Sequence, residues 1–200
     1  MTLLVFAVFF SMTGRVIFSP LMPYLQQELS ISLATVGTLF LFISVSFSVV
    51  MLLSGFLSSC IGHGNAIAAA LGSIAVGLFI SGMAGNVFIL AMGMICIGSG
   101  AGIYAPSAIA MINTRISPER KSTAFAFHEI GPNMAMLVSP LIVLLAVPLM
   151  GWRGVLFLMA CFCGASAIVF YSFGASGSGV GARPNLSTIG TILHLPDVYM

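Results

Sequence analysis

The sequence predicts an all-α, polytopic membrane protein with six transmembrane helices, on three observations. Hydrophobic residues make up 60% of the 200-residue chain, and its mean hydropathy is +1.18. Only 5% of residues are charged, against about 25% in an ordinary soluble domain. Residues 29–114 contain no Asp, Glu, Lys or Arg at all. A bilayer crossing takes about 20 mainly apolar residues, so that stretch holds three crossings and the whole chain about six. Period-2 alternation is absent, which argues against a transmembrane barrel.

The first span is predicted over 3–24. Its start, Met1 to Phe10, lacks the basic opening and small-residue cleavage site of a signal peptide and runs straight into further apolar sequence. Gln26-Gln27-Glu28 ends it. The second span covers 33–57 and ends in the polar run Ser58 to Asn65. The third, 66–84, stops at Gly85-Asn86, and the fourth, 87–112, at Asn113 to Ser122. Gly98 and Gly102 in the fourth have the small-x-x-x-small spacing that lets helices approach closely. The fifth span, 123–149, carries Pro132, Pro140 and Pro148 and is expected to kink, which a bundle tolerates because neighbours satisfy the freed carbonyls. Gly151-Trp152 separates it from the sixth, 153–173.

Residues 1–173 thus read as one six-helix bundle. Residues 174–200 read as a cytoplasmic linker: Gly174 to Gly181 has a flexible Gly/Ser composition, and Leu193 to Met200 resembles the approach to a further helix of a second half. Sidedness follows from the loop cations. Arg115, Arg120, Lys121 and Arg183, with His63, fall on one side and Arg153 alone on the other, which sets the N-terminus in the cytoplasm.

Several function classes drop out. A net charge of +2 carried by scattered cations cannot build a nucleic-acid surface. Cys60, Cys96, Cys161 and Cys163 follow no disulfide or zinc spacing and are expected as free thiols. No cofactor or metal is expected, and the partners are the lipid bilayer and a small-molecule solute.

Two charges remain inside predicted spans. Arg15 lies about twelve residues into the first span, roughly 18 Å from the inner surface, too deep to snorkel easily. It should face protein or a wet cavity. There it either clamps a substrate carboxylate or phosphate or forms an internal ion pair that fixes packing. Glu129, low in the fifth span, is the one intramembrane acid and a candidate proton-coupling group, or else a structural partner of Arg15 or a carboxylate in a watery inner vestibule. Glu129, Asn133, Met136 or Leu137, and Pro140 form one stripe at helical spacing, which places Asn133 near the depth of Arg15. Asn133 either orients a polar substrate or bonds a neighbouring helix. His128 beside Glu129 is a packing residue or a second proton-coupling group, and Tyr104 and Ser107 on the fourth span either line the cavity or, as the first reading, simply pack.

Local patterns coincide in a family resemblance. Gly55-Phe56-Leu57-Ser58-Ser59-Cys60-Ile61-Gly62-His63-Gly64 is similar to the helix 2 to 3 loop Gly-x-Leu-Ala-Asp-Arg-x-Gly-Arg-Arg of major facilitator superfamily transporters, with Ser59 at the Asp position and Cys60, His63 and Gly64 at basic ones. Met94 to Gly102 resembles Arg-x-x-x-Gly-x-Gly-x-Gly of helix 4, with Met94 at the Arg position. Asn133 with Ala135 to Pro140 resembles the helix 5 Gly-x-x-x-Gly-Pro stretch, and Gly151-Trp152-Arg153 matches a common junction before helix 6. Arg15, Pro23 and Glu28 to Ser32 look like helix 1 and the outer loop of organic-anion symporters in that superfamily.

The resemblance implies a 3+3 inverted repeat, with helices 1 and 4 lining a midplane cavity, helices 2 and 5 facing a second six-helix half, and helices 3 and 6 outside. It implies a secondary transporter of the plasma membrane (the inner membrane of a bacterium) that moves a small, anionic organic solute by alternating access, with proton coupling as an option. Arg15, Asn133 and Tyr104 would bind substrate, Glu129 and His128 would couple protons, and Gly55 and Gly62 would shape the gating loop, where Ser59 and Cys60 cannot make the family's ion pair. The alternative is a degenerate, non-transporting sensor or assembly module. An intramembrane enzyme is not expected: Gly174-Ala175-Ser176-Gly177 resembles the rhomboid serine motif, but it follows the last span and no later membrane helix supplies a His.

Overall fold

The computed structural model describes residues 2–174, all of it helix, turn or short connection with no strand. The expected linker over 174–200, with Ser176, Arg183 and His194, lies outside the described residues apart from the backbone of Gly174. Helix α1 (Thr2–Val16) and helix α2 (Phe18–Leu29) run end to end as the first span. Pro20 has no N–H for the carbonyl of Val16, so the helix is interrupted at Ile17. The main-chain ladder is picked up at once, with Ile17 N–H donating to Thr13 O at 2.9 Å and Leu21 N–H to Ile17 O at 3.2 Å. Helices α3 (Leu33–Ile61), α4 (His63–Gly82) and α5 (Val87–Arg115) are spans two to four. A 3-10 turn (Pro118–Arg120) leads into α6 (Lys121–Val169), which holds spans five and six on either side of Gly151, followed by a π-helical turn (Phe170–Gly174).

Caps explain several boundaries. Ser32 Oγ accepts from Thr35 N–H at 3.2 Å and Asn86 Oδ1 from Ile89 N–H at 3.0 Å, satisfying otherwise orphaned helix N-termini. In the turn before α6, outside the spans, the Glu119 amide and the Ser117 hydroxyl hold the Glu119 carboxyl below its usual range, keeping a negative charge at a helix start.

Two expectations are corrected. The polar run 58–65 is not a loop: α3 continues to Ile61 and α4 begins at His63, with Gly62 alone between them at φ 81, ψ 154. Ser58, Ser59 and Asn65 use their side chains on carbonyls of the preceding turn, at Gly55, Phe56 and Ile61, so their polarity does not interrupt the helix. The first span does not stop at 24 but reaches Leu29, ending at a left-handed Ser30 with φ 51. The prolines of span five keep helical backbone angles, and the one non-helical residue in α6 is Gly151, at φ 69, ψ 169.

The helices pack as two interlocked groups of three. Spans two and four meet backbone to backbone through Gly98 and Gly102: a Cβ at Gly102 would lie 2.5 Å from Phe47 O, and one at Gly98 would strike Ile43 O and Ser46 Oγ. Spans one and five meet in the same manner at Gly131, against Val5 O at 3.0 Å and the Val8 side chain. Spans three and four touch at Gly77, Gly93 and Gly100, tied by Ser73 Oγ–H to Cys96 O at 2.9 Å. Spans one and six touch through stacked Phe10 and Phe162, and Cys163 comes within 3.7 Å of a Cβ at Gly14, whose nearer neighbours are Ile74 and Leu78 of span three. Spans three and six meet across Gly82, Phe79 and Phe157. Exchanging one with four, two with five and three with six maps each pairing onto another or onto itself, the pattern of a 3+3 inverted repeat.

The larger apolar core joins Ile17, Phe18, Leu21 and Leu25 to Ile74, Leu78, Leu90, Met94, Ile97, Val155 and Leu156. Met94, at the position where the family pattern has Arg, is fully buried within it. A second cluster, including Leu4, Ala7, Leu71, Tyr104, Met111 and Phe170, fills the opposite end of the bundle. The most apolar stretches of α3 and of the segment 118–173 are only 17% buried, against 56% in α4 and α5, so spans two and five present the open flank.

Candidate solute cavity and inner polar cluster

Leu4 and Glu28 lie near the two ends of the first span and show which groups share a membrane face. Leu4 meets Tyr104 and, through it, His128. Glu28 meets Trp152 and Arg153: Trp152 Nε1–H donates to Glu28 Oε2 at 2.5 Å, Arg153 Nη1 is 3.0 Å from Glu28 Oε1, Arg153 Nη2–H donates to Ala84 O at 2.8 Å, and the guanidinium lies 4.2 Å over the Trp152 ring. This clasp ties spans one, three and six together at the end opposite Tyr104. Sequence reading missed it, although Glu28 and Arg153 were legible as opposite charges on one side of the bundle.

Arg15 is eleven residues from Leu4 and thirteen from Glu28, about 16 Å and about 20 Å along a helix at ~1.5 Å per residue. It is half-buried, and its guanidinium carbon sits 4.4 Å above the Phe47 ring of α3. Among the described residues no carboxylate is within ion-pair distance of it, and the alternative of an Arg15–Glu129 pair is not what the structure contains. Arg15 instead faces a cavity of about 310 Å³ lined by Met12, Arg15, Val16, Ser19, Phe40, Ile43, Ser44 and Met136. Ser44 turns its hydroxyl back to Phe40 O, which leaves the guanidinium as the charged group of this wall. Phe47 carried no signal in sequence, being one of several Phe residues on an apolar helix.

The stripe Glu129, Asn133, Met136 and Pro140 is exposed on span five, and Met136 reaches the Arg15 cavity. Asn133, one turn further in, donates its amide to Glu129 O at 2.7 Å on its own helix. Glu129 is 65% exposed and its Oε1 lies 3.5 Å from His128 Nδ1. His128 is buried, its Nε2 3.3 Å from Tyr104 Oη, with the two rings stacked at 6.1 Å. Tyr104, 3% exposed, donates to Leu4 O at 3.1 Å. The structure therefore brings together Tyr104, His128 and Glu129 at the end of the bundle, apart from Arg15 at its middle. Gly55 is exposed near the end of α3, and Gly62 is buried at the α3–α4 junction. Arg115 and Arg120 line two further cavities at the Leu4 end, of about 380 and 840 Å³. All four cysteines are free thiols.

The described residues thus form a helical bundle whose pairings follow the inverted-repeat pattern, with an open flank and a half-buried cation at mid-depth. The chain belongs to the Major Facilitator Superfamily, whose sequence profile matches residues 4–188. No curated protein sequence matches it significantly. Solved structures share its fold: a mutant POT peptide transporter in complex with alafosfalin, at TM-score 0.79 and 17% identity over 99% of this chain and 44% of that one. A POT family transporter with a thioalcohol-conjugated peptide gives TM-score 0.74, and one with 5-aminolevulinic acid 0.73, each at 20% identity over 99% of this chain and 45% of the other. The chain thus spans less than half the length of the transporters it resembles.

Proposed function

We propose that this chain forms the N-terminal six-helix half of a secondary active transporter in the plasma membrane, N-terminus inside, which moves a small anionic organic solute by alternating access coupled to protons. It is not an enzyme on this reading. The observation that carries the proposal is Arg15. A charge at the centre of a membrane helix costs about 2.5 to 3.5 kcal/mol on insertion scales, and a desolvated aromatic face returns about 2 kcal/mol. Here the guanidinium has Phe47 on one side and a cavity on the other, with N–H donors free to take a carboxylate or phosphate in the bidentate geometry that suits Arg. Asn133 lies on the stripe that reaches the same cavity and serves substrate orientation. Glu129 and His128 serve proton coupling, and the second half closes the cavity from the open flank of spans two and five. Gly62, with Gly55 a turn or two before it, shapes the inner gating turn.

The test is uptake by the native polypeptide carrying this chain, reconstituted in proteoliposomes under an imposed pH gradient, with a panel of organic anions and short peptides. At least one solute is expected to accumulate, and Arg15→Ala to lower its uptake by about tenfold or more, without rescue by Arg15→Lys because Lys lacks the planar fork. Wild-type uptake in Arg15→Ala would refute the anion clamp. A second reading, a non-transporting sensor or assembly module, draws support from Ser59, whose hydroxyl closes onto its own helix at the position where the family has the Asp of an ionic latch. It is distinguished by solute binding that depends on Arg15 in the absence of any uptake.

A further inference from the structure

Three polar groups meet inside the apolar cluster at the Leu4 end: the Leu4 carbonyl of α1, the Tyr104 hydroxyl of α5 and the His128 imidazole of α6. Tyr104 Oη is 3.1 Å from Leu4 O and 3.3 Å from His128 Nε2, while His128 Nδ1 is 3.5 Å from Glu129 Oε1. Turning the ring over would set carbon atoms against both polar partners, so the contacts themselves fix its orientation. Tyr104 has one hydroxyl proton and two neighbours able to accept it. A carbonyl can only accept, whereas Nε2 accepts when the neutral ring carries its proton on Nδ1 and donates when the ring is cationic. The protonation state of His128 therefore decides where the phenolic proton points.

We infer that His128 is a proton-binding site whose occupancy switches the Tyr104 hydroxyl between His128 and the Leu4 carbonyl, with Tyr104 as the positioning residue. The inference deepens the proton-coupled reading above and rests on it for its role in transport. In the neutral state Nδ1–H donates to the Glu129 carboxylate and Nε2 accepts the phenolic proton, so Leu4 O is released from Tyr104. When a proton binds, it enters at Nε2; Nε2–H then donates to Tyr104 Oη and the phenolic proton turns to Leu4 O. One proton is gained, no covalent bond other than N–H forms, and Glu129 balances the new charge. The outcome is a hydrogen bond between spans four and one, which belong to different three-helix repeats. A single proton is thereby converted into a tie across the bundle.

Among the described residues, the groups facing His128 are few. Glu129 comes from its own helix, Tyr104 from α5 and the Leu4 carbonyl from α1, and the surrounding cluster, with Ala7, Ala124 and Met111, is apolar. Arg115 lines the neighbouring cavity that Leu4 also lines, and Arg120 the one that Ala124 also lines.

Nitrogen-15 histidine labelling of the purified protein in lipid nanodiscs reads the ring directly, with His128 identified by its loss in His128→Gln. The neutral ring is expected to carry its proton on Nδ1, and Glu129→Leu, at an exposed position, to shift it toward the Nε2–H form. Amide exchange over residues 4–8, followed across a pH series in which the same spectra report the His128 ring, is expected to slow about threefold as His128 takes up its proton, because the extra tie raises the local opening free energy. That pH dependence should vanish in Tyr104→Phe. A neutral ring protonated on Nε2 in the wild type, or an exchange profile unchanged by Tyr104→Phe, overturns the switch. The Glu129→Leu spectrum keeps the test decisive if a buried-site variant fails to fold. Expected spectra and exchange together with pH-independent uptake would uphold the switch and sink the coupling reading.

Discussion

Gly62 and Gly151 show how much one residue can decide in this fold. Their backbone angles, φ 81, ψ 154 and φ 69, ψ 169, fall in a region that is essentially restricted to glycine, and side chains forced there cost about 1 to 3 kcal/mol. Each is a single-residue junction between consecutive spans, two with three at one face and five with six at the other. No neighbouring atom lies within 4 Å of a Cβ at Gly151, so substitution there isolates the backbone term. Gly151→Ala is expected to lower unfolding stability in detergent by about 1 to 3 kcal/mol, and Gly62→Ala, at a buried junction, by at least as much. A thermal-unfolding series on the purified protein checks this, and unchanged midpoints in both variants would mean that these junctions relax freely. Gly62 was visible in sequence as one glycine of a polar run, but not as the whole turn, because nothing in composition reveals that Ser58 and Ser59 satisfy their hydroxyls on their own helix.

Among elements, the contact between α3 and α5 links packing to the cavity. Gly98 and Gly102 let the two backbones touch, and Phe47, whose carbonyl would lie 2.5 Å from a Cβ on Gly102, is also the ring beneath Arg15. Gly102→Ala must push α3 away, with a cost of about 1 to 3 kcal/mol for overpacking and a displaced Phe47. Gly37→Ala on the same α3 and Gly72→Ala on α4 meet no atom within 4 Å. They are expected to be neutral or to stabilise by about 0.5 to 1 kcal/mol through helix propensity. Melting temperatures of the three variants beside their solute affinities test this: Gly102→Ala should lose both stability and affinity, and the controls neither. Equal behaviour of all three would show that the close approach carries no weight. The six spans were legible because each is an apolar run of about the length of a bilayer crossing or more, and the small-x-x-x-small spacing correctly announced a close approach. The partner helix was not legible, nor was the meeting of Tyr104 with His128, since residues 24 apart on different helices are joined only by tertiary packing. Arg15 was legible for the opposite reason, as a charge in a stretch where any charge is costly.

At the scale of the whole bundle, the distribution of charge and the alternation of spans give a sidedness that can be measured. The Glu28–Arg153 clasp and Gly85 lie at one end, while Leu4, Tyr104, Arg115, Arg120 and Lys121 lie toward the other. The proposed orientation follows the rule that loop cations collect on the cytoplasmic side during insertion, and would put the cation-rich end inside and the clasp outside. The native thiols provide the probe. Cys60 is exposed near the end of α3, beside the Gly62 junction, which the proposed orientation assigns to the inner face. Gly85 has open space around a Cβ, and the same orientation assigns it to the outer face. In a background with the other cysteines replaced, a membrane-impermeant maleimide applied to intact cells is expected to label Gly85→Cys at once and to label Cys60 only after the membrane is opened. Labelling of Cys60 from outside, with Gly85→Cys protected, would invert the bundle. It would also place the Tyr104–His128–Glu129 cluster at the outer surface, so that proton entry and the release of Leu4 would have to be reassigned to the opposite face of the transport cycle.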